Sequence, residues 1–204
     1  MPKLYFKYGT MNSSKTSNLM MISHNYVSRG RRVITVKPEV DTRDGVKNIT
    51  SRVIGSIEAD VLLSPEVDEI ILDGSVSCVL VDEAQFLSRE NVLALRALTV
   101  NVPVIAFGLR TDFMGSLFEG SKALFELADS IEEIKTICEY CDKKAIINAK
   151  YRERGGECEI IVSGDQVELG SEELYKPLCW LCWNDKLMSQ GNIGYRRQKF
   201  LRVK

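Results

Sequence analysis

One stretch restricts the fold of this chain more than any other: Gly9-Thr10-Met11-Asn12-Ser13-Ser14-Lys15-Thr16. The apolar run Leu4-Tyr5-Phe6 precedes it, and a helical pattern with Leu19, Ile22 and Tyr26 on one face follows, so it reads as a strand-to-helix turn. A Gly-x-x-x-x-Gly-Lys-[Ser/Thr] turn in that context wraps backbone N–H groups around nucleotide phosphates. Its Lys ammonium reaches the outer oxygens and its hydroxyl helps to hold Mg²⁺. Here Ser14 stands where the second glycine is expected. If that position needs a left-handed backbone, serine costs about 1–2 kcal/mol, which a tightly bound phosphate can offset. The competing reading makes Ser13 or Ser14 the N-cap of the helix.

Arg29-Gly30-Arg31 then stops the helix, and Val33-Ile34-Thr35-Val36 reads as a second strand. Strand, helix and strand in this order imply an α/β fold with a parallel sheet, whose ligand site lies beyond the carboxyl ends of the strands. The next segment, Asp41-Thr42-Arg43-Asp44, therefore faces the phosphates. An Arg there can reach phosphate oxygens and an Asp can serve metal or a sugar hydroxyl; a solvated polar turn is the alternative. Cys78-Val79-Leu80-Val81-Asp82-Glu83 is an apolar run ending in two carboxylates, as expected of a buried central strand. Beside a phosphate loop the first acid suits Mg²⁺, and Glu83 is placed to take a proton or orient a nucleophile.

Between these landmarks, residues 46–75 carry only short apolar pieces, read as a strand-like stretch and a short helix opening at Ser64-Pro65-Glu66. Ser88 to Leu98 reads as a capped helix with Val92, Leu95, Ala97 and Leu98 toward the sheet. Val102 to Phe107 reads as a strand at an edge or with Pro103 at its start, because proline lacks the ladder N–H. It leads into Gly108-Leu109-Arg110-Thr111-Asp112-Phe113, where Leu109, Phe113 and Phe118 can wall an apolar pocket over a base. Leu117 to Ala128 completes the pattern as a helix, and Ile131 to Ile137 as the last sheet strand.

The α/β rhythm stops at Cys138. Two Cys-x-x-Cys pairs, Cys138/Cys141 and Cys179/Cys182, bracket an alternating hairpin, Lys144–Lys150 and Glu157–Ser163, with Arg154-Gly155-Gly156 as its turn. A tetrahedral Cys₄ zinc would staple a unit too small to hold itself; a dithiol redox pair is the rival. The 37 residues from 142 to 178 between the pairs include an excursion, Gly164 to Pro177, that can act as a metal-anchored lid. Cys78 and Cys158 read as core or strand residues. The tail from Gly191 to Lys204 holds basic residues and no acid, and reads as a solvated, frayed terminus.

Composition removes several alternatives. With 27 Lys and Arg against 28 Asp and Glu the net charge is −1, so no basic field suggests nucleic acid or an anionic membrane. The longest apolar runs fall far short of a bilayer span, and Met1-Pro2-Lys3 does not open a signal peptide. A cytoplasmic protein is expected.

Together, Met11-Asn12-x-x-Lys15-Thr16, Asp41-Thr42-Arg43, Val81-Asp82-Glu83-Ala84-Gln85-Phe86, Gly108 to Phe113, the four cysteines, and Leu169-Gly170 with Tyr175 stand in a specific order. From Leu4 to about Trp183 the chain resembles the cytosolic, zinc-containing (type II) thymidine kinases. The resemblance implies a RecA-like P-loop parallel sheet flanked by helices over residues 1–137. It also implies a zinc-ribbon-like lasso domain over 138–190 ahead of the 191–204 tail, and a homotetramer. It implies transfer of the γ-phosphoryl of ATP to the 5′-hydroxyl of deoxythymidine. On it, Glu83 falls on the catalytic base, and Asp82 and Thr16 on the Mg²⁺ site. Residues 9–16 with Lys15 fall on the phosphate cradle, with Asp41 on the same site and Arg43 near the transferred group. Met11, Phe86, Leu109, Phe113 and Phe118 fall on the thymine pocket. Tyr175 falls near the base, and Val167, Glu168, Leu169, Gly170 and Ser171 on the lasso that grips it. Ser171 stands where such proteins often have a second glycine.

Two other readings remain at this stage. Asp82-Glu83-Ala84-Gln85 superficially resembles a helicase box, but such a motor needs a second ATPase lobe for which 204 residues leave no room. A non-catalytic zinc and nucleotide-binding module, with Ser14 marking a decayed loop, is the other.

Overall fold

A computed structural model of the chain describes residues 1–42, 45–67, 69–154, 157–164 and 175–191. Its centre is a six-stranded sheet, every neighbouring pair parallel. The strands are β1 (Leu4–Tyr8), β2 (Arg32–Pro38), β5 (Val61–Leu63), β6 (Val76–Val81), β7 (Val104–Gly108) and β8 (Ser130–Glu133), in the order β5-β2-β6-β7-β1-β8. Strands buried on both faces need no polar alternation, and Cys78 to Val81 accordingly form a continuous buried run. Cys78 is an ordinary core residue, as its apolar neighbours suggest.

Helices cover both faces. On one side α1 (Lys15–Val27) packs Leu19, Met20 and Ile22 against Cys78, Leu80 and Phe107. On the other, α2 (Arg89–Leu98) and α3 (Glu119–Leu127) bury Val92, Leu95, Ala123 and Leu124 over Phe6, Val79, Val81 and Ala106. The Ser88 cap is realised as a full capping box with Asn91. Ala94 rather than Ala97 turns to the core, since Ala97 lies on the solvent side.

Of the two places expected for Pro103 the second is found, the start of a strand: β7 pairs with both β6 and β1, and Pro103 sits just before it, where its carbonyl still accepts from Val79 N–H at 3.0 Å. Another expectation needs correction. No helix opens at Ser64-Pro65-Glu66, which form a single turn closed by Val67 N–H to Ser64 O at 3.1 Å. The carbonyls a helix would use internally are taken from outside, Pro65 O by Ser88 Oγ and Ser64 O and Val67 O by Asn91 Nδ2. The stretch before it, read as strand-like, is an antiparallel hairpin, β3 (Asn48–Ser51) and β4 (Gly55–Glu58), followed by β5.

Beyond β8 the chain forms a second, three-stranded antiparallel sheet. The expected hairpin appears as β9 (Ile147–Arg154) and β10 (Glu157–Ile160), and β11 (Tyr175–Leu178) returns along the other side of β9. Helix α4 (Trp180–Ser189) closes an apolar cluster of Ile147, Ala149, Ile160, Leu178, Trp183 and Leu187.

Candidate functional site

The strand-to-helix turn is where the sequence places it, between β1 and α1. Gly9 is imposed by crowding: a Cβ there would lie 2.4 Å from Ser13 Oγ and 2.6 Å from the Ile134 carbonyl. Ser14 has φ 62° and ψ 28°, so the position does demand a left-handed backbone, and Asn12 at φ 62° shares it. Ser14 precedes the first helical residue but accepts no cap hydrogen bond through its side chain, so the N-cap reading is not realised. The Lys15 ammonium is buried and donates to Thr10 O at 2.8 Å and Ser13 Oγ at 3.4 Å, curled within the loop's concavity.

Separated from β1 by β7 alone, β6 delivers its acids to the same end of the sheet. Thr16 Oγ1 donates to Asp82 Oδ2 at 3.0 Å. Asp82 is 4% exposed, and its Oδ1 has no hydrogen-bond partner among the described residues. Burial, reinforced by the charge of Glu83, pushes its carboxyl up to about 7, while Thr16, the Glu83 N–H and Lys15 pull the other way. A buried carboxylate oxygen without a partner, beside a loop hydroxyl, is the donor set that a hard divalent cation such as Mg²⁺ completes. Glu83 follows at φ 48°, a strained conformation that turns the chain into a single 3₁₀ turn, Ala84–Phe86. Gln85 Nε2 donates to the Glu83 carboxylate, and Gln85 Oε1 accepts from Leu109 N–H at 2.9 Å. Gly120 lets α3 press on this turn, since a Cβ there would lie 2.3 Å from Ala84 O.

A cavity of ≈270 Å³ is lined by Met11 through Ser17, Glu83 and Leu109, and also by Thr50, Ser51, Arg52 and Val53 of the β3–β4 hairpin. Sequence reasoning missed this hairpin; its short polar strands lack an apolar run, and only the alternation over Asn48–Ser51 could have signalled it. Met11 and Leu109 also belong to an apolar cluster with Phe118, Phe86 and Tyr175, in which the Phe86 and Phe118 rings meet edge to face at 5.7 Å. Phe113, expected with them, is 1% exposed and lies instead under the Lys150 ammonium, 5.1 Å from ring centroid to Nζ. Asp41 is buried and paired with Lys37 at 3.3 Å. Arg43 and the lasso residues Val167, Glu168, Leu169, Gly170 and Ser171 lie outside the described residues, as do Gly155 and Gly156 and the tail from residue 192.

Cys138, Cys141, Cys179 and Cys182 converge, all four sulfurs lying within 4.8 Å of one another and Cys141 and Cys179 within 3.6 Å. A tetrahedral Zn–S₄ site with bonds of about 2.3 Å spaces its sulfurs by roughly 3.8 Å, so the geometry fits zinc. Burial and the neighbouring sulfurs push the Cys182 thiol up to about 12. For Cys138, burial also acts upward but is outweighed by backbone hydrogen bonds from Cys179 and Tyr140 and by the adjacent thiols, bringing it down to about 7. Four thiols so crowded titrate against one another until a cation takes their charge.

One further residue, unnoticed in the sequence, ties these parts together. Asn148 of β9 accepts from Met11 N–H at 2.8 Å and donates to Thr111 O at 3.1 Å.

Residues 2–183 match the family model described as Thymidine kinase. The chain is 45% identical over 185 residues to a thymidine kinase of Streptococcus pyogenes serotype M6, covering 88% of this chain and 95% of that one. Thymidine kinases of Streptococcus agalactiae serotype Ia and Streptococcus gordonii are 44% and 43% identical over the same length, with 95% and 94% of those chains covered. A parallel-sheet fold with a phosphate-loop turn, a strand-borne acid pair and a four-cysteine cluster stands beneath that match, and the chain belongs to the thymidine kinase family.

Proposed function

We propose that this protein transfers the γ-phosphoryl group of ATP to the 5′-hydroxyl of thymidine, giving dTMP and ADP for nucleotide salvage and DNA synthesis. The observation that carries the reading is that Glu83 and Leu109 line the same cavity as the phosphate loop, while Met11 and Leu109 also belong to the apolar cluster. Phosphate donor and apolar acceptor thereby meet at one carboxylate.

The nucleoside hydroxyl oxygen attacks the γ-phosphorus, the bond to the β–γ bridging oxygen breaks, and the hydroxyl proton passes to Glu83. The N–H groups of residues 9–16 cradle the phosphates, and Lys15 leaves Thr10 O for the outer oxygens. Thr16 and Asp82 would hold Mg²⁺, which when bound there neutralises charge on the phosphates. Arg43 steadies the transferred group from the loop after β2, with Asp41 at its base. Met11, Phe86, Leu109 and Phe118 form the apolar wall for thymine, with Phe113 behind it and Tyr175 near the ring. Residues Val167 to Ser171 close over the base through main-chain groups.

The four cysteines bind one structural zinc. Residues 1–137 act as the kinase domain and 138–190 as the lasso domain. We further read the protein as a cytoplasmic homotetramer whose partners are thymidine and ATP, without nucleic acid or membrane. The near-zero net charge supports the reading without nucleic acid. Among the described residues no helix is long and apolar enough to cross a membrane.

The test is transfer from ATP to thymidine by the purified protein with Mg²⁺, alongside Glu83→Gln. The variant should lose about 10²–10⁴ in kcat, the usual worth of a general base, and keep its melting temperature. No transfer to any pyrimidine deoxynucleoside would reject the kinase reading; an active Glu83→Gln would reject only the base.

A further inference from the structure

The phosphate loop is held from outside by groups that lie far along the chain. Thr136 Oγ1 donates to Asn12 O at 3.4 Å, but from an exposed position. Asn148 does more: 3% exposed, it spends its acceptor on Met11 N–H and its donor on Thr111 O. Both bonds are buried, and the first spans 137 residues of sequence.

The two groups it joins belong to the two walls of the site. Met11 lines the phosphate cavity and contributes to the apolar cluster. Thr111 lies two residues beyond Leu109, which contributes to both as well. Beyond the backbone bond from Gly9 N–H to Gly108 O at 3.2 Å, where the two segments leave the sheet, this one amide bridges loop and pocket wall. Its own position is set by the cysteine-stapled sheet, since Asn148 pairs with Pro177 and Ile147 with Leu178, directly before Cys179.

Only an amide satisfies both partners. A carboxylate keeps the acceptor for Met11 but sets negative charge against the Thr111 carbonyl; an apolar isostere leaves a buried N–H and a buried C=O unpaired. We propose that Asn148 is a positioning residue that registers the metal-stapled sheet against the phosphate loop and so sets the ATP and nucleoside sites relative to each other. This rests on the kinase reading for its substrates.

The test compares Asn148→Leu and Asn148→Asp in the full chain by zinc content, melting, equilibrium ATP binding and steady-state kinetics. Both variants are expected to retain one zinc and a cooperative transition. Asn148→Leu should weaken ATP binding and raise the KM for thymidine, each by about tenfold, the scale of a buried group left unpaired. Asn148→Asp should raise the thymidine KM similarly while ATP binding stays within about threefold of wild type, because the bond to Met11 survives. A merely structural role would lower the amount of active enzyme and leave both constants alone. Unchanged ATP affinity and thymidine KM in Asn148→Leu would overturn the proposal, and should that variant not fold, an unchanged thymidine KM in Asn148→Asp would do so. If the wild type shows no transfer at all, the kinase reading alone fails, and ATP binding by Asn148→Leu still decides the role of Asn148.

Discussion

Lys37 Nζ and Asp41 Oδ2 lie 3.3 Å apart with their side chains only 2% and 4% exposed, an ion pair sealed beneath the loop that follows β2. The same ammonium donates to Asn48 O at 2.8 Å and Gly45 O at 3.2 Å, so one cation gathers both ends of that loop. Lys37→Met should cost about 3–5 kcal/mol, because it takes a buried ammonium away from the Asp41 carboxylate and from the Gly45 and Asn48 carbonyls together. Urea unfolding measures this, and adding Asp41→Asn should recover part of the loss.

Asp82 gives the ligand-free protein a distinctive pH dependence. Its folded carboxyl is raised to about 7 by burial and by Glu83, above the unfolded value of 3.8. In the window between them the folded state binds the extra proton, so this group's contribution to stability falls as pH rises from about 4 to 7. Asp82→Asn should remove that slope, and at pH 8 it should melt higher than the wild type while losing Mg²⁺-dependent activity. Melting curves against pH for the two proteins provide the check.

Ser14→Gly relieves the left-handed serine, worth about 1–2 kcal/mol, but loosens the unfolded chain by roughly 0.5–1 kcal/mol. A net gain of about 0.5–1 kcal/mol should appear as a rise of a few degrees in Tm. ATP affinity should change little, because Ser14 already holds the required conformation. A large affinity gain on Ser14→Gly would show that the serine strains the loop itself.

One zinc per chain should be found by metal analysis, and modifying all four site thiols should release it. Chelation should melt the β10-β9-β11 sheet first, since its apolar cluster is built around Cys138 and Cys179. Hydrogen exchange of β9 amides, Asn148 among them, would register that loss while β6 stays protected.

The sequence made the central plan legible because its signals are local. Leu4 to Thr16 carries strand, turn and helix within one turn's reach, and the Cys78–Glu83 run announces a buried strand with acids at its end. The β3–β4 hairpin was hidden because its stability comes from its neighbours, as in the 2.7 Å contact of Ser17 Oγ with Ser51 Oγ, rather than from its own pattern. Pro103 was legible as a strand start, because the missing ladder N–H confines proline to such places, and it stands just before β7. Phe113 looked like a pocket wall by composition, and only the fold reveals the Lys150 ammonium above it. Asn148 had no signal: a single amide in an alternating strand acquires meaning from partners at Met11 and Thr111.

The place of β1 in the sheet has a consequence for the order of folding. Leu4–Tyr8 pair with Val104–Gly108 on one side and with Ser130–Glu133 on the other, partners that lie far along the chain. The strand from which the phosphate loop hangs is therefore seated by long-range closure, and the loop gains its scaffold only when that closure is made.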